Sequence, residues 1–136
     1  ISRYAFFYSE EGELKTLIDH DNNMYLRSNG AVSFEDKFIS IYRNGYVIVD
    51  PKTGELPDKT KITGITFDGK PSLWGNVLII CREYSGNIML VDINNANDPY
   101  LIGELQLEGN PDLAYVEGNR VLIPCHHQGI IVIEKS

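Results

Sequence analysis

Hydrophobic positions in this chain come in short runs, each broken by a few turn-forming residues, and the same run-turn-run unit keeps returning. Its clearest copy is Val77-Leu78-Ile79-Ile80-Cys81, a polar turn Arg82-Glu83-Tyr84-Ser85-Gly86, then Asn87-Ile88-Met89-Leu90-Val91-Asp92. The unit repeats as Val121-Leu122-Ile123-Pro124-Cys125, His126-His127-Gln128-Gly129 and Ile130-Ile131-Val132-Ile133-Glu134. Earlier come Phe38-Ile39-Ser40-Ile41-Tyr42, Arg43-Asn44-Gly45 and Tyr46-Val47-Ile48-Val49-Asp50. A weaker first copy runs from Tyr4 through a turn around Gly12 to Asp19. Each copy predicts two strands joined by a tight turn. Apolar residues at every position of 77–81 imply burial on both faces, the setting of a sheet wedged between two others.

The acids that close the later hairpins, Asp50, Asp92 and Glu134, are spaced 92 − 50 = 42 and 134 − 92 = 42 residues. Self-similarity at about 40–50 residues in all-strand text is the mark of propeller blades. Between the hairpins, near 4–19, 38–50, 77–92 and 121–134, further strands are predicted at 24–27, 31–35, 59–66, 72–75, 100–107 and 112–116. The turns between them hold His20-Asp21-Asn22-Asn23, Pro51-Lys52-Thr53-Gly54, the crossing loop Phe67-Asp68-Gly69-Lys70-Pro71, and Asn94-Asn95-Ala96-Asn97-Asp98-Pro99. No stretch carries the i, i+3, i+4, i+7 spacing of an amphipathic helix. The expected fold is all-β: a single β-propeller-like segment over 1–136, about 3.5 antiparallel four-stranded blades. Propellers close with about four to eight blades, so the array is expected to be part of a larger ring.

A chain of 136 residues, 43% hydrophobic, is one domain's worth of ordinary globular sequence. A net charge of −7 argues against a nucleic-acid backbone or an anionic membrane as partner, since both need a concentrated positive surface. No apolar run reaches the length of a membrane span. The two cysteines, Cys81 and Cys125, each stand fifth in look-alike strings, Val-Leu-Ile-Ile-Cys and Val-Leu-Ile-Pro-Cys. On that alignment they point the same way around the ring, one toward its neighbour and one away. With blade sheets about 10 Å apart, two free and largely buried thiols are expected.

Residues 88–103, with Ile88-Met89-Leu90-Val91-Asp92, an Asn-rich turn, Pro99, an outer strand and Gly103, resemble an LVIVD repeat. Gly109-Asn110-Pro111 through Gly118-Asn119-Arg120-Val121 continues the likeness, which covers residues 72–134 well, 31–50 in outline and 1–30 poorly. The resemblance implies a β-propeller of a kind frequent in secreted or surface-attached bacterial proteins. It also implies no assigned catalysis, and it brings no catalytic motif to transfer.

Clusters that carry chemistry are few. Cys125-His126-His127 lacks the spaced ligand pairs of a zinc site, and 92–98 lacks the central glycine and distal glutamate of a calcium loop. Asp19-His20-Asp21 reads as a solvated turn. Nucleophile-elbow, phosphate-loop and zinc-protease motifs are missing from the sequence. No catalytic residue, metal site or cofactor is expected. The turns joining the second and third strands of successive blades share one rim, and they vary most within an otherwise repetitive unit. They hold Glu10, Glu11, Arg43, Asn44, Arg82, Glu83, Tyr84, His126, His127 and Gln128. Variable loops on a rigid scaffold are how binding sites are commonly built. Arg43, Arg82, Tyr84, His126 and His127 are therefore the candidate binding residues, for a protein loop or a small acidic or carbohydrate ligand. The function expected is a non-catalytic, extracytoplasmic interaction module, acting as a homodimer or as part of a longer chain. The alternative is an accessory, substrate-facing part of a larger propeller enzyme of the hydrolase or lactonase type.

Overall fold

The computed structural model describes the backbone of residues 4–8, 14–19, 30–43, 45–50, 52 and 66–136, with side chains from residue 30 onward. Within these residues every strand pairs antiparallel with its neighbour in the chain, as tight turns between short runs require. β1 (Tyr4–Tyr8) and β2 (Leu14–Asp19) form a hairpin. β3 (Gly30–Phe34), β4 (Lys37–Tyr42) and β5 (Gly45–Val49) make a second sheet. β6 (Lys70–Trp74), β7 (Val77–Arg82), β8 (Asn87–Asp92) and β9 (Tyr100–Gln106) make a complete four-stranded third sheet. β10 (Tyr115–Glu117), β11 (Arg120–Pro124) and β12 (Ile130–Glu134) make a fourth sheet of three strands. The strand expected at 24–27, that expected at 59–66 except for Thr66, which is not in a strand, the turns at 9–13, 20–23 and 53–54, and Pro51 and Asn44 lie outside the described residues. So do the side chains of Glu10, Glu11 and the Asp19-His20-Asp21 run.

Two inner strands differ from expectation at their starts. Lys70 and Pro71, read as loop, are already in β6, paired with Cys81 and Ile80. Proline is tolerated there because β6 is an edge of its sheet and has no obligatory donor on its outer side. Residues 112–114, read as strand, precede β10. Their groups are engaged elsewhere: Asp112 accepts from its neighbour Leu113 N–H at 2.7 Å, and Ala114 O accepts the Ser72 hydroxyl at 2.6 Å.

The sheets stack through apolar cores between them. Ile39, Ile41 and Tyr46 of the second sheet meet Leu78, Ile80, Met89 and Val91 of the third, with Phe67 sealing one end. Tyr46 and Phe67 meet edge to face at 6.2 Å, and the Tyr46 hydroxyl donates to Ala96 O at 2.5 Å. Burial pushes that phenol up to about 12. Ile79, Cys81 and Ile88 of the third sheet meet Val121, Ile123 and Cys125 of the fourth. The inner strands are tied together where they converge. Trp74 Nε1–H donates to Gly118 O at 2.9 Å, and Ser72 makes the bond already described.

The strand register corrects the placing of the cysteines. The β6–β7 turn is Gly75-Asn76 and the β10–β11 turn Gly118-Asn119, bracketed by the pairs Trp74–Val77 and Glu117–Arg120. The middle strand therefore repeats at 43 residues: Leu78 matches Val121, Ile80 matches Ile123, and Cys81 matches Pro124 rather than Cys125. The third strand keeps the 42-residue spacing, because the turn joining β11 to β12 is one residue shorter. A one-residue slip reverses a side chain's face. Cys81 thus points forward and Cys125 backward, into one shared core, not in the same sense around the ring. Both thiols are buried and unpaired.

Candidate binding face at the strand turns

One rim of the stack gathers the turns after β4, β7 and β11 together with the return loops that feed the next inner strand. Phe67 N–H donates to Arg43 O at 2.6 Å, and Leu107 N–H to Gly86 O at 2.8 Å. Gln106 Nε2 bridges Ser85 O and Gly86 O at 2.9 and 3.1 Å, and Gln128 Nε2 reaches Glu108 at 3.2 Å. Residues 83–85 and 126–128 form single 3-10 turns. Gly86 closes the first in the left-handed region (φ 64°), where only glycine sits without strain. His126 adopts φ 49°, a backbone state that histidine visits more readily than most side chains.

Four of the five candidate residues lie on these turns, whereas Arg82, read as a turn residue, is the last residue of β7, paired with Asn87; the five do not converge. Arg43 is exposed at the β4–β5 turn. Arg82 ends β7 half-buried, its Nε–H covered and without an acceptor among the described residues. Tyr84 stands at the tip of its turn, 99% exposed. His126 and His127 are exposed on the next turn. Of the five, only His126 has its side chain near a carboxylate among the described residues, 3.5 Å from Glu83.

Two residues that the sequence did not single out sit at the centre of the rim. Lys70 Nζ pairs with Asp112 and lies 3.7 Å from Glu83, so one ammonium and one imidazole face two carboxylates. Hydrogen bonding to Asp112 is the largest influence raising the Lys70 ammonium, and the same bond holds the Asp112 carboxyl below its ordinary range. The junction links the third and fourth sheets through one lysine set between two carboxylates, and is not a ring of cations. Asp112 arrives on a return loop and Lys70 opens an inner strand, which is why attention to the strand turns missed both. The signal available was their spacing of 42 residues, one blade apart.

Beside this link is a cleft of about 170 Å³ lined by Asp68, Gly69, Lys70, Cys81, Glu83 and Tyr84. Gly69 is required there, because a Cβ would fall 2.4 Å from Cys81 O and 2.8 Å from Ile80 Cγ2. Cys81 stays under the surface, and burial pushes its thiol up to about 11. Cys125 and His126 part company: the thiol lies in the core, 3.5 Å from Ile123 O, while the imidazole faces Glu83. In the 92–98 turn Asp92 accepts Asn94 N–H at 2.8 Å and the Tyr100 hydroxyl at 3.2 Å, and Asn95 accepts Asn97 N–H at 3.3 Å. These oxygens are spent on shaping the turn. No three His, Cys, Asp or Glu side chains among the described residues are placed to hold a metal ion, and no helix there is long and apolar enough to cross a membrane.

No protein-family model matches the chain, and no curated protein is similar to it in sequence. Its shape matches solved structures. BamB from Moraxella catarrhalis superposes with a TM-score of 0.61 at 16% identity, over 90% of this chain and 34% of that one. The WD40 domain of SCAP from fission yeast gives 0.59 at 13% identity, over 90% and 34%. The computationally designed Ika8 protein gives 0.57 at 14%, over 91% and 37%. The chain spans about a third of the length of these structures. Likeness at this identity establishes the fold alone: a β-propeller array, present here as part of a ring.

Proposed function

We propose that the chain is a non-catalytic interaction module, a single segment over 1–136 whose turn-bearing rim engages a protein partner. The observation that carries this reading is Tyr84, an aromatic side chain 99% exposed on a turn fixed by Gly86 and by the Gln106 amide. Tyrosine and arginine are the side chains that anchor protein interfaces most often, and Arg43 and His127 stand exposed on the flanking turns. The cleft favours a protein over a small acidic or carbohydrate ligand. At about 170 Å³ it is below the roughly 300–1,000 Å³ of small-molecule sites, and its one lysine is already answered by two carboxylates. We include in the same proposal membership of the LVIVD-repeat family and an extracytoplasmic, bacterial setting. Both rest on the repeat resemblance around Val91-Asp92 and Pro99.

A photo-crosslinking side chain placed at position 84, and a second at Asn119 on the opposite rim, test this reading in native extracts. A defined adduct from 84 and none from 119 is expected. The triple variant Arg43→Ala, Tyr84→Ala, His127→Ala, all at exposed positions, then weakens binding of that partner by about tenfold or more. Equal adducts from both rims, or none from either, overturn the proposal.

A further inference from the structure

The walls of the rim cleft come from the third blade and the loop that leads into it. Asp68 and Gly69 stand on that loop, Lys70 opens β6, and Glu83 and Tyr84 belong to the turn after β7. Cys81, paired with Lys70 and fully buried, closes the floor. Carboxylates outnumber cations around it: Asp68 and Glu83 line the cleft and Asp112 stands behind Lys70, against one ammonium and the His126 imidazole. Two of the three acids are already engaged. Glu83 faces Lys70 at 3.7 Å through one oxygen and His126 at 3.5 Å through the other, while Asp112 holds Lys70 and the Leu113 N–H. Asp68 is exposed and has neither a hydrogen bond nor an ion pair among the described residues.

A free carboxylate and an open aromatic ring on one small cleft select a particular guest. Tyr84, 99% exposed, offers its ring at the mouth. The carboxylate takes charged N–H donors, and the ring face attracts a cation within about 6 Å of its centre. A guanidinium meets both demands at once. It is planar and permanently charged, forks onto a carboxylate and stacks on an aromatic face, whereas an ammonium is a compact, strongly hydrated point charge. Size agrees, since about 170 Å³ is small for a whole ligand but open to one long side chain. The net charge of −7 draws a basic partner toward the chain. We propose that the cleft receives one arginine side chain of a basic protein partner, its guanidinium paired with Asp68 and stacked on Tyr84. The inference rests on the rim reading above and names the partner chemistry for it.

The test is an NMR titration of the isotopically labelled chain with N-acetylarginine amide. Saturable shifts of the Asp68, Gly69 and Lys70 amides and of the Tyr84 ring are expected, with half-saturation at about 1–10 mM. Added salt weakens them. The citrulline counterpart, of the same shape without the charge, is expected to shift nothing at the cleft, and the lysine counterpart to bind about threefold or more weakly. Asp68→Asn and, separately, Tyr84→Ala change exposed side chains and keep the cooperative melt, and each weakens arginine binding by about threefold or more. Absence of shifts at the cleft overturns the proposal. So do equal shifts from citrulline, equal binding of lysine, or arginine binding unchanged in either variant. A defined adduct from position 84 alongside no arginine binding overturns this inference alone and leaves the rim reading standing.

Discussion

The third and fourth sheets are written with nearly the same hairpin and live in different surroundings. In the third, both faces of β7 and β8 are covered, and Leu78, Ile79, Ile80, Cys81, Ile88 and Met89 are all buried. In the fourth, the same alternation leaves every second residue of β12 facing outward. Local sequence therefore specifies strand and turn in both, while stability is set by whether a neighbour covers the face. Ile88 and Ile130 sit at matching register positions, one fully buried and the other mostly exposed. Ile88→Ala is expected to cost about 3 kcal/mol by denaturant unfolding, the transfer loss plus a cavity. Ile130→Ala is expected to stay within about 0.5 kcal/mol. Equal losses at the two sites would end the distinction between covered and open blades.

Glycines sharpen the same contrast at a slightly smaller scale. Gly69→Ala drives a Cβ into the Cys81 carbonyl, backbone that cannot move aside, and is expected to cost about 1–3 kcal/mol. Gly118 on the fourth sheet has open space around it, so alanine there meets only the strain of φ 60°, about 1 kcal/mol. A larger loss at Gly118 would place the tighter packing in the wrong blade.

The shared core between the two sheets carries a pH signature. Burial raises both thiols, Cys81 to about 11, so the folded state holds their protons longer than the unfolded chain does. That contribution is whole below about pH 9 and is lost as pH climbs toward 11. A fall in stability on the order of 2 kcal/mol is expected over this interval. Thiol reagents at mildly alkaline pH should label neither cysteine before unfolding and both after it.

Among the described residues, the hairpin strands and the all-β class were legible because alternating burial and glycine-bearing turns are local signals. The cysteines were not. Val-Leu-Ile-Ile-Cys and Val-Leu-Ile-Pro-Cys align as text, but the chain is phased by the turns Gly75-Asn76 and Gly118-Asn119, which set the strings one residue apart. Anchoring on those turns would have put both thiols in one core. Half of the rim was readable in the same way. Tyr84 and His126 announced themselves as turn residues, whereas the Lys70–Asp112 link depends on a return loop arriving beside the start of an inner strand, a long-range contact at which only the 42-residue spacing hints.

That link is where the two sheets meet on the rim, and it carries the smallest expected effect. The Asp112 carboxyl is held low chiefly by Lys70, and the Lys70 ammonium is raised chiefly by Asp112. A depressed carboxyl stabilises the fold above its ordinary value near 3.8 and loses that contribution as pH falls through its lowered value. A raised ammonium stabilises below its ordinary 10.5 and loses the contribution as pH rises through its raised value. The pair is therefore intact across the whole neutral range. Both side chains are nearly half exposed, so water and salt screen them and at most about 1 kcal/mol is at stake. Asp112→Asn is expected to lower the melting temperature slightly at neutral pH, to lose that difference in acid, and to narrow it in high salt. Were the substitution to cost several kcal/mol in any salt, the rim link and not the apolar core would be what holds the fourth sheet to the third.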